Sequence, residues 1–165
     1  MANIPLPKTQ YSVLPEGEHI FRIYRVEYKE KFGKLNIYMV TADGYTHIER
    51  FSFLKNDGSS NDVAYMTFAY FAKTAMNNFE IESVDPFALL NHYIKAEIAH
   101  NIRPKRDNPD ETVTFTKIVN KWVANGFDKE PCEKALKLGM ENSVSPKAEP
   151  KKETPQNFNL DDMLN

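Results

Sequence analysis

The chain has 165 residues, with 21 Lys and Arg against 23 Asp and Glu and a formal net charge of −2. That length suffices for one domain with tails and a hydrophobic core that needs neither disulfides nor metal. The single cysteine, Cys132, excludes an intramolecular disulfide and suits a reducing cytoplasm, and no run approaches the roughly 18 apolar residues of a membrane span.

Residues 1–15 read as an N-terminal arm; with Pro5 and Pro7 and no apolar run, the arm is not a signal peptide. In residues 17–28, Ile20, Phe21, Ile23, Tyr24, Val26 and Tyr28 predict a long strand, bulged where the alternation slips. A charged turn follows, and then Leu35, Ile37 and Met39 alternate with Asn36, Tyr38 and Val40 in a second strand. Asp43-Gly44 signals a tight hairpin into a third strand over residues 45–54. Ser59 or Ser60 is placed to cap a helix over residues 62–76, with Asp62 in its first turn, where the helix dipole favours an acid. Apolar residues fall almost all round that helix (Val63, Met66, Phe68, Phe71, Ala75), so it is expected to be well buried. Asp85-Pro86 and a short turn of helix lead to a fourth strand, residues 92–102, with Ile94, Ala96 and Ile98 on one face. A polar loop, residues 103–111, precedes a fifth strand over 112–123, rich in Val, Thr, Ile, Phe and Trp.

The chain then turns polar. Residues 128–140 hold a short predicted helix that packs on the body or on a neighbouring subunit. Residues 141–156, with Pro146, Pro150 and Pro155 and no aromatic side chain, cannot bury enough apolar surface to offset their ordering entropy and read as a disordered linker. Residues 157–165 end it with Phe158, Leu160, Met163 and Leu164 around Asp161 and Asp162, a tip suited to a basic, apolar-lined pocket on another protein. Residues 128–165 carry eight acids and six lysines, leaving residues 1–127 balanced at 15 against 15, so a basic surface on the body must come from placement.

Three strands, a helix and two strands over residues 16–127 are the element order of the OB-fold, a mainly β, five-stranded Greek-key barrel with its helix between strands three and four. An open α+β sheet with one packed helix gives the same string. In the OB-fold the second and third strands, with the loops joining strands one to two and four to five, form the usual oligonucleotide surface. Here those loops carry Lys29, Lys31 and Lys34 around Phe32, and Arg103, Lys105 and Arg106. Both are expected on one side of the molecule, where the cations meet backbone phosphates. Tyr38 and Arg50 point outward if Ile37, Met39, Phe51 and Phe53 point in, and an outward aromatic can stack a base. Trp122 either stacks a base or plugs the open end of the barrel, the plug being slightly favoured.

Enzyme chemistry finds no pattern. His19, His47, His92 and His100 are scattered, Cys132 has no partner for a zinc site, and there is neither a glycine-rich phosphate loop nor a nucleophile elbow. No catalytic residue, metal or cofactor is expected.

Residues 17–54, the stretch Asp85-Pro86-Phe87-Ala88-Leu89-Leu90 and the terminal Asn159-Leu160-Asp161-Asp162-Met163-Leu164 together resemble the single-stranded DNA-binding proteins of phage replication modules and, more loosely, bacterial ones. The resemblance implies a protein of the cytoplasm (the host's, if phage-encoded) that coats single-stranded DNA in replication, recombination or repair. It also implies that the tip recruits replication or recombination proteins. Bacterial tips end in Pro-Phe after several aspartates; this one ends in Leu164-Asn165 with two, after a Lys/Glu/Pro linker in place of a glycine-rich one. The competing class is a protein–protein adaptor whose aromatics are all interior. Either could form homo-oligomers through an exposed strand edge.

Overall fold

The computed structural model describes residues 13–144. Strand β1 (Gly17–Lys29) buries Phe21, Ile23 and Val26. Between Ile23 and Arg25 its register against the next strand shifts by one residue. This bulge resets the alternation, so that Val26 stays on the core side while Tyr24 and Arg25 both lie toward the outside. Strand β2 (Lys34–Thr41) follows a single 3-10 turn, Glu30–Phe32, closed by Gly33 at φ 63°. A Cβ on Gly33 would lie 2.8 Å from Cγ of Leu54, so the turn requires glycine on both conformational and steric grounds. β2 alternates cleanly: Leu35, Ile37 and Met39 are fully buried, while Asn36 and Tyr38 are half-buried on the other face. The predicted hairpin leads through Ala42-Asp43-Gly44, with Gly44 at φ 90°, into β3 (Thr46–Ser52).

Helix α1 (Asp62–Met76) spans the predicted residues, but its cap and its burial differ from expectation. Asn61 is the N-cap, its side-chain oxygen accepting from the Ala64 amide at 3.3 Å; Ser59 instead donates to Asp57 within the preceding turn. Burial is confined to Phe71, Ala72, Thr74 and Ala75, whereas Val63 and Met66 are 72% and 73% exposed. The helix is therefore not buried all round: one face, Ala64, Phe68, Phe71, Ala72 and Ala75, meets the core, and Val63 and Met66 lie off that face. Phe68 and Phe71 enter an aromatic cluster with Phe51 and Phe53, with ring centroids 5.2–5.7 Å apart. Burying each large ring contributes about 2–3 kcal/mol.

A 3-10 turn, Pro86–Leu89, capped by the Asp85 side chain on the Phe87 amide, delivers the chain to β4 (Tyr93–Pro104), which hairpins into β5 (Thr112–Ala124). All neighbouring pairs are antiparallel and the sheet order is β3-β2-β1-β4-β5. The sheet is open, with no ladder joining β3 to β5 among the described residues. Its two edges nonetheless approach, since Nδ1 of His47 and Oγ1 of Thr116 share a hydrogen bond at 2.8 Å. The sheet thus curls round its core. β1 pairs with β4 only as far as Gly17 opposite Ile98, so the ends of β4 and β5 form a two-stranded arm projecting past the start of β1.

After β5 the chain crosses the outer side of the sheet. Phe127 sets its ring against Tyr93 at 5.1 Å, Lys129 pairs with Asp43 at 2.6 Å, and the Cys132 amide donates to the Ala42 carbonyl at 3.1 Å. Helix α2 (Glu133–Val144) follows, seated beside the β2–β3 turn with Leu136 buried. It packs on its own body, and it runs four residues into the stretch read as linker. The rest of that linker and the tip with Phe158, Leu160, Asp161, Asp162, Met163 and Leu164 lie outside the described residues. Among the described residues no helix is long and apolar enough to cross a membrane.

Candidate nucleic-acid interface

Residues directly opposed in an antiparallel ladder share a face. The registers therefore assemble the outer surface of β1, β2 and β3 row by row. Lys29, Lys34 and Ser52 form one row, and Glu27, Asn36 and Arg50 the next. Arg25, Tyr38 and Ile48 come third, then Arg22, Val40 and Thr46. Among the described residues, these rows turn five cations outward with a single carboxylate, that of Glu27.

Tyr38 stands at the centre. The Arg25 guanidinium lies 4.9 Å from its ring centroid, and the Tyr24 ring meets it edge-on at 6.1 Å. Its hydroxyl donates to Glu27 Oε1 at 3.4 Å, the oxygen that also accepts from Asn36 Nδ2 at 3.0 Å. Glu27 Oε2 is 3.5 Å from Arg25. The Asn36 hydrogen bond, reinforced by Lys29 and Arg25, holds the Glu27 carboxyl below the usual carboxylate range, against a smaller opposing effect of burial. The one acid of these rows is thus engaged in ordering Asn36, Tyr38 and Arg25. Burial pushes both tyrosine phenols upward, aided at Tyr24 by Tyr38 and at Tyr38 by the Glu27 carboxylate. At neutral pH they are uncharged rings beside cations, able to stack on a base without repelling its phosphate.

Of the residues singled out from sequence, Lys29, Lys34, Tyr38 and Arg50 lie on this face, with Lys34 Nζ donating to Ser52 Oγ at 2.8 Å. Lys31 and Phe32 occupy the turn at its end; Phe32 is 60% exposed, with the Lys31 ammonium 5.9 Å from its ring centroid. Arg103, Lys105 and Arg106 are elsewhere. Because β4 runs antiparallel to β1, the loop after β4 leaves the sheet where β1 begins, whereas the β1–β2 turn lies where β1 ends. The registers thus put the two basic loops at opposite ends of β1. Lys105 is also paired with Glu111 at 3.1 Å. Trp122 faces outward opposite Lys95, whose ammonium lies 5.7 Å from the indole, and is 41% exposed. It plugs no end of the curled sheet; the apolar cluster at α1 involves Phe51, Phe53, Phe68 and Phe71 instead.

Arg22, Tyr24 and Arg25 escaped the sequence reading. In an unbroken strand Tyr24 and Arg25 would face opposite ways; the bulge turns both outward. The slipped alternation around Tyr24 was the available signal. Among the described residues no group of three or more His, Cys, Asp or Glu is placed to hold a metal ion. No protein-family model matches the chain, and no curated protein matches it in sequence.

Proposed function

We propose that the protein binds single-stranded DNA, without sequence preference, across the outer face of β1, β2 and β3. The observation that carries this is the joint display of Arg25, Lys29, Lys34 and Arg50 around two neutral tyrosines, in rows whose one carboxylate is already engaged. Such a surface supplies both requirements of strand coating: cations for the backbone and π-faces for unpaired bases. The sheet order, the position of α1 between β3 and β4, and the His47–Thr116 link across the sheet edges support an OB-fold barrel, in which the β2–β3 face is the usual oligonucleotide site. On this reading the chain is a phage-type single-stranded DNA-binding protein of replication or recombination and not an enzyme. Its tip, residues 157–165, recruits the replication or repair machinery.

The test is a titration of labelled oligo(dT) followed by fluorescence anisotropy at several salt concentrations. Binding that weakens steeply with salt supports the proposal; absence of binding at low salt sinks it. Deleting residues 157–165 is expected to leave DNA affinity equal or higher, because the acids no longer compete with phosphate, while partner binding disappears.

A second reading has its own observation. Val63, Met66, Tyr70 and Phe79 expose an apolar surface on and beside α1, the kind of patch that marks a protein–protein interface. A pure adaptor using that patch would leave oligo(dT) unbound.

A further inference from the structure

Helix α2 lies over one end of the proposed strand-binding face. Val40 points outward by its register, yet it is fully buried, and it sits at the end of the sheet that α2 covers. The helix is seated there by close backbone approach. A Cβ on Gly44 would collide with the Ala135 carbonyl, and a Cβ on Gly139 with the Gly44 carbonyl. Leu136 fills the seam, and Tyr24, Arg25, Lys137, Met140 and Glu141 line an open cleft along its edge.

Arg22 is poorly served beneath this helix. One guanidinium nitrogen, Nη2, donates to the thioether sulfur of Met140 at 3.6 Å, a weak acceptor. Its Nε is buried with no hydrogen-bond partner. A guanidinium stays charged at any physiological pH, and its planar fork matches the oxygens of a phosphate. Buried donors are normally satisfied, and leaving one on a charged group unsatisfied is costly, so the seated position of α2 carries a penalty that an anion at Arg22 would relieve. Arg22 is also one row from Arg25, so a backbone crossing Lys34, Arg50 and Arg25 would arrive at it next.

We infer that Arg22 forms a latent phosphate subsite masked by α2, and that a single strand engages it by displacing the helix. This rests on the strand-binding reading above and adds a ligand contact and a moving part to it. The helix then acts as a cover: seated without DNA, it shortens the basic face; displaced, it lengthens the face by one phosphate subsite and removes Glu141 from its rim.

The experiment uses the full chain and oligo(dT). Hydrogen exchange of the backbone amides of residues 136–141 is expected to accelerate when the oligonucleotide is saturating. Arg22→Ala should flatten the plot of log affinity against log salt by about 0.7, the contribution of one phosphate on a single strand. Gly139→Leu, which cannot seat against Gly44, should bind about tenfold tighter if the uncovered state is about a tenth populated in the unaltered protein. Unchanged or slower exchange in α2 on binding overturns the inference, as does an Arg22→Ala slope equal to that of the parent. If Gly139→Leu does not fold, the exchange measurement and Arg22→Ala still decide. Failure of the unaltered protein to bind oligo(dT) sinks the strand-binding reading itself. Binding that leaves α2 protected sinks only the cover.

Discussion

Tyr38→Ala separates a stacking platform from an ordinary half-buried strand tyrosine. Truncation removes the ring under the Arg25 guanidinium and its edge-on packing with Tyr24. It also removes the 3.4 Å bond to Glu27, which is long and leaves Glu27 its shorter bond from Asn36. The cost to the folded state is that of one cation–π pair, one aromatic pair and a partly buried ring, about 1–3 kcal/mol in all. Unstacking a base along with the ring should weaken binding by about 1–3 kcal/mol more, a rise in Kd of about 5- to 150-fold. Tyr38→Phe keeps the ring and drops only the hydroxyl, so its Kd should stay within about twofold of the parent. The assay is anisotropy with labelled oligo(dT) at fixed salt, with thermal melts confirming that each variant is folded. A folded Tyr38→Ala protein that binds like the parent would refute the platform. Equal weakening in the Phe and Ala variants would show that the hydroxyl, not the π-face, is what matters.

Reversing Lys29, Lys34 and Arg50 together to Glu should flatten the salt dependence by about two in log–log slope, at about 0.7 for each phosphate no longer neutralised. The same reversal of Arg103, Lys105 and Arg106 should change it less, and the opposite order would move the interface to the β4–β5 arm. Phe71→Ala, which empties a fully buried site against Phe51, should destabilise the fold by about 3–5 kcal/mol and lower Tm by about 10 °C or more, read by calorimetry. The depressed pKa of Glu27 means that its stabilising contribution is present above the unfolded-state value of about 4.3 and disappears as pH falls through the lower folded-state value. The gap in urea midpoint between the parent and Glu27→Gln should accordingly be wider at pH 7 than at pH 3, and a gap independent of pH would contradict the assigned hydrogen-bonded carboxylate.

The strands were legible because their faces differ in chemistry. Leu35, Ile37 and Met39 against Asn36 and Tyr38 leave one register with a buried side, and Asp43-Gly44 supplies the reversal that enforces it. Helix α1 was legible in extent and misread in environment. A helix with apolar residues on every side can be buried all round, or packed along one face with its other apolar residues facing solvent. Periodicity does not distinguish these; here Ala64, Phe68, Phe71, Ala72 and Ala75 form the packed face while Val63 and Met66 are exposed. Asn61 outcompeted Ser59 as the cap because Asp57 had already engaged Ser59 through both its amide and its hydroxyl.

For the site, parity decided success and failure alike. Tyr38 and Arg50 could be placed because simple alternation holds through β2 and β3, and Lys29 and Lys34 because they belong to the turn that joins β1 to β2. Tyr24 and Arg25 could not, since one inserted residue changes which side every later residue of β1 faces, and its position is set by the ladder with β2 and not by β1 alone. The two basic loops share a sign and a composition, and antiparallel pairing of β1 with β4 sets them at opposite ends of the strand that lies between them. Charge read along a chain therefore specifies an interface only after the register is known, and the register that separates those loops is the one that brings Arg22, Arg25 and Arg50 together around Tyr38.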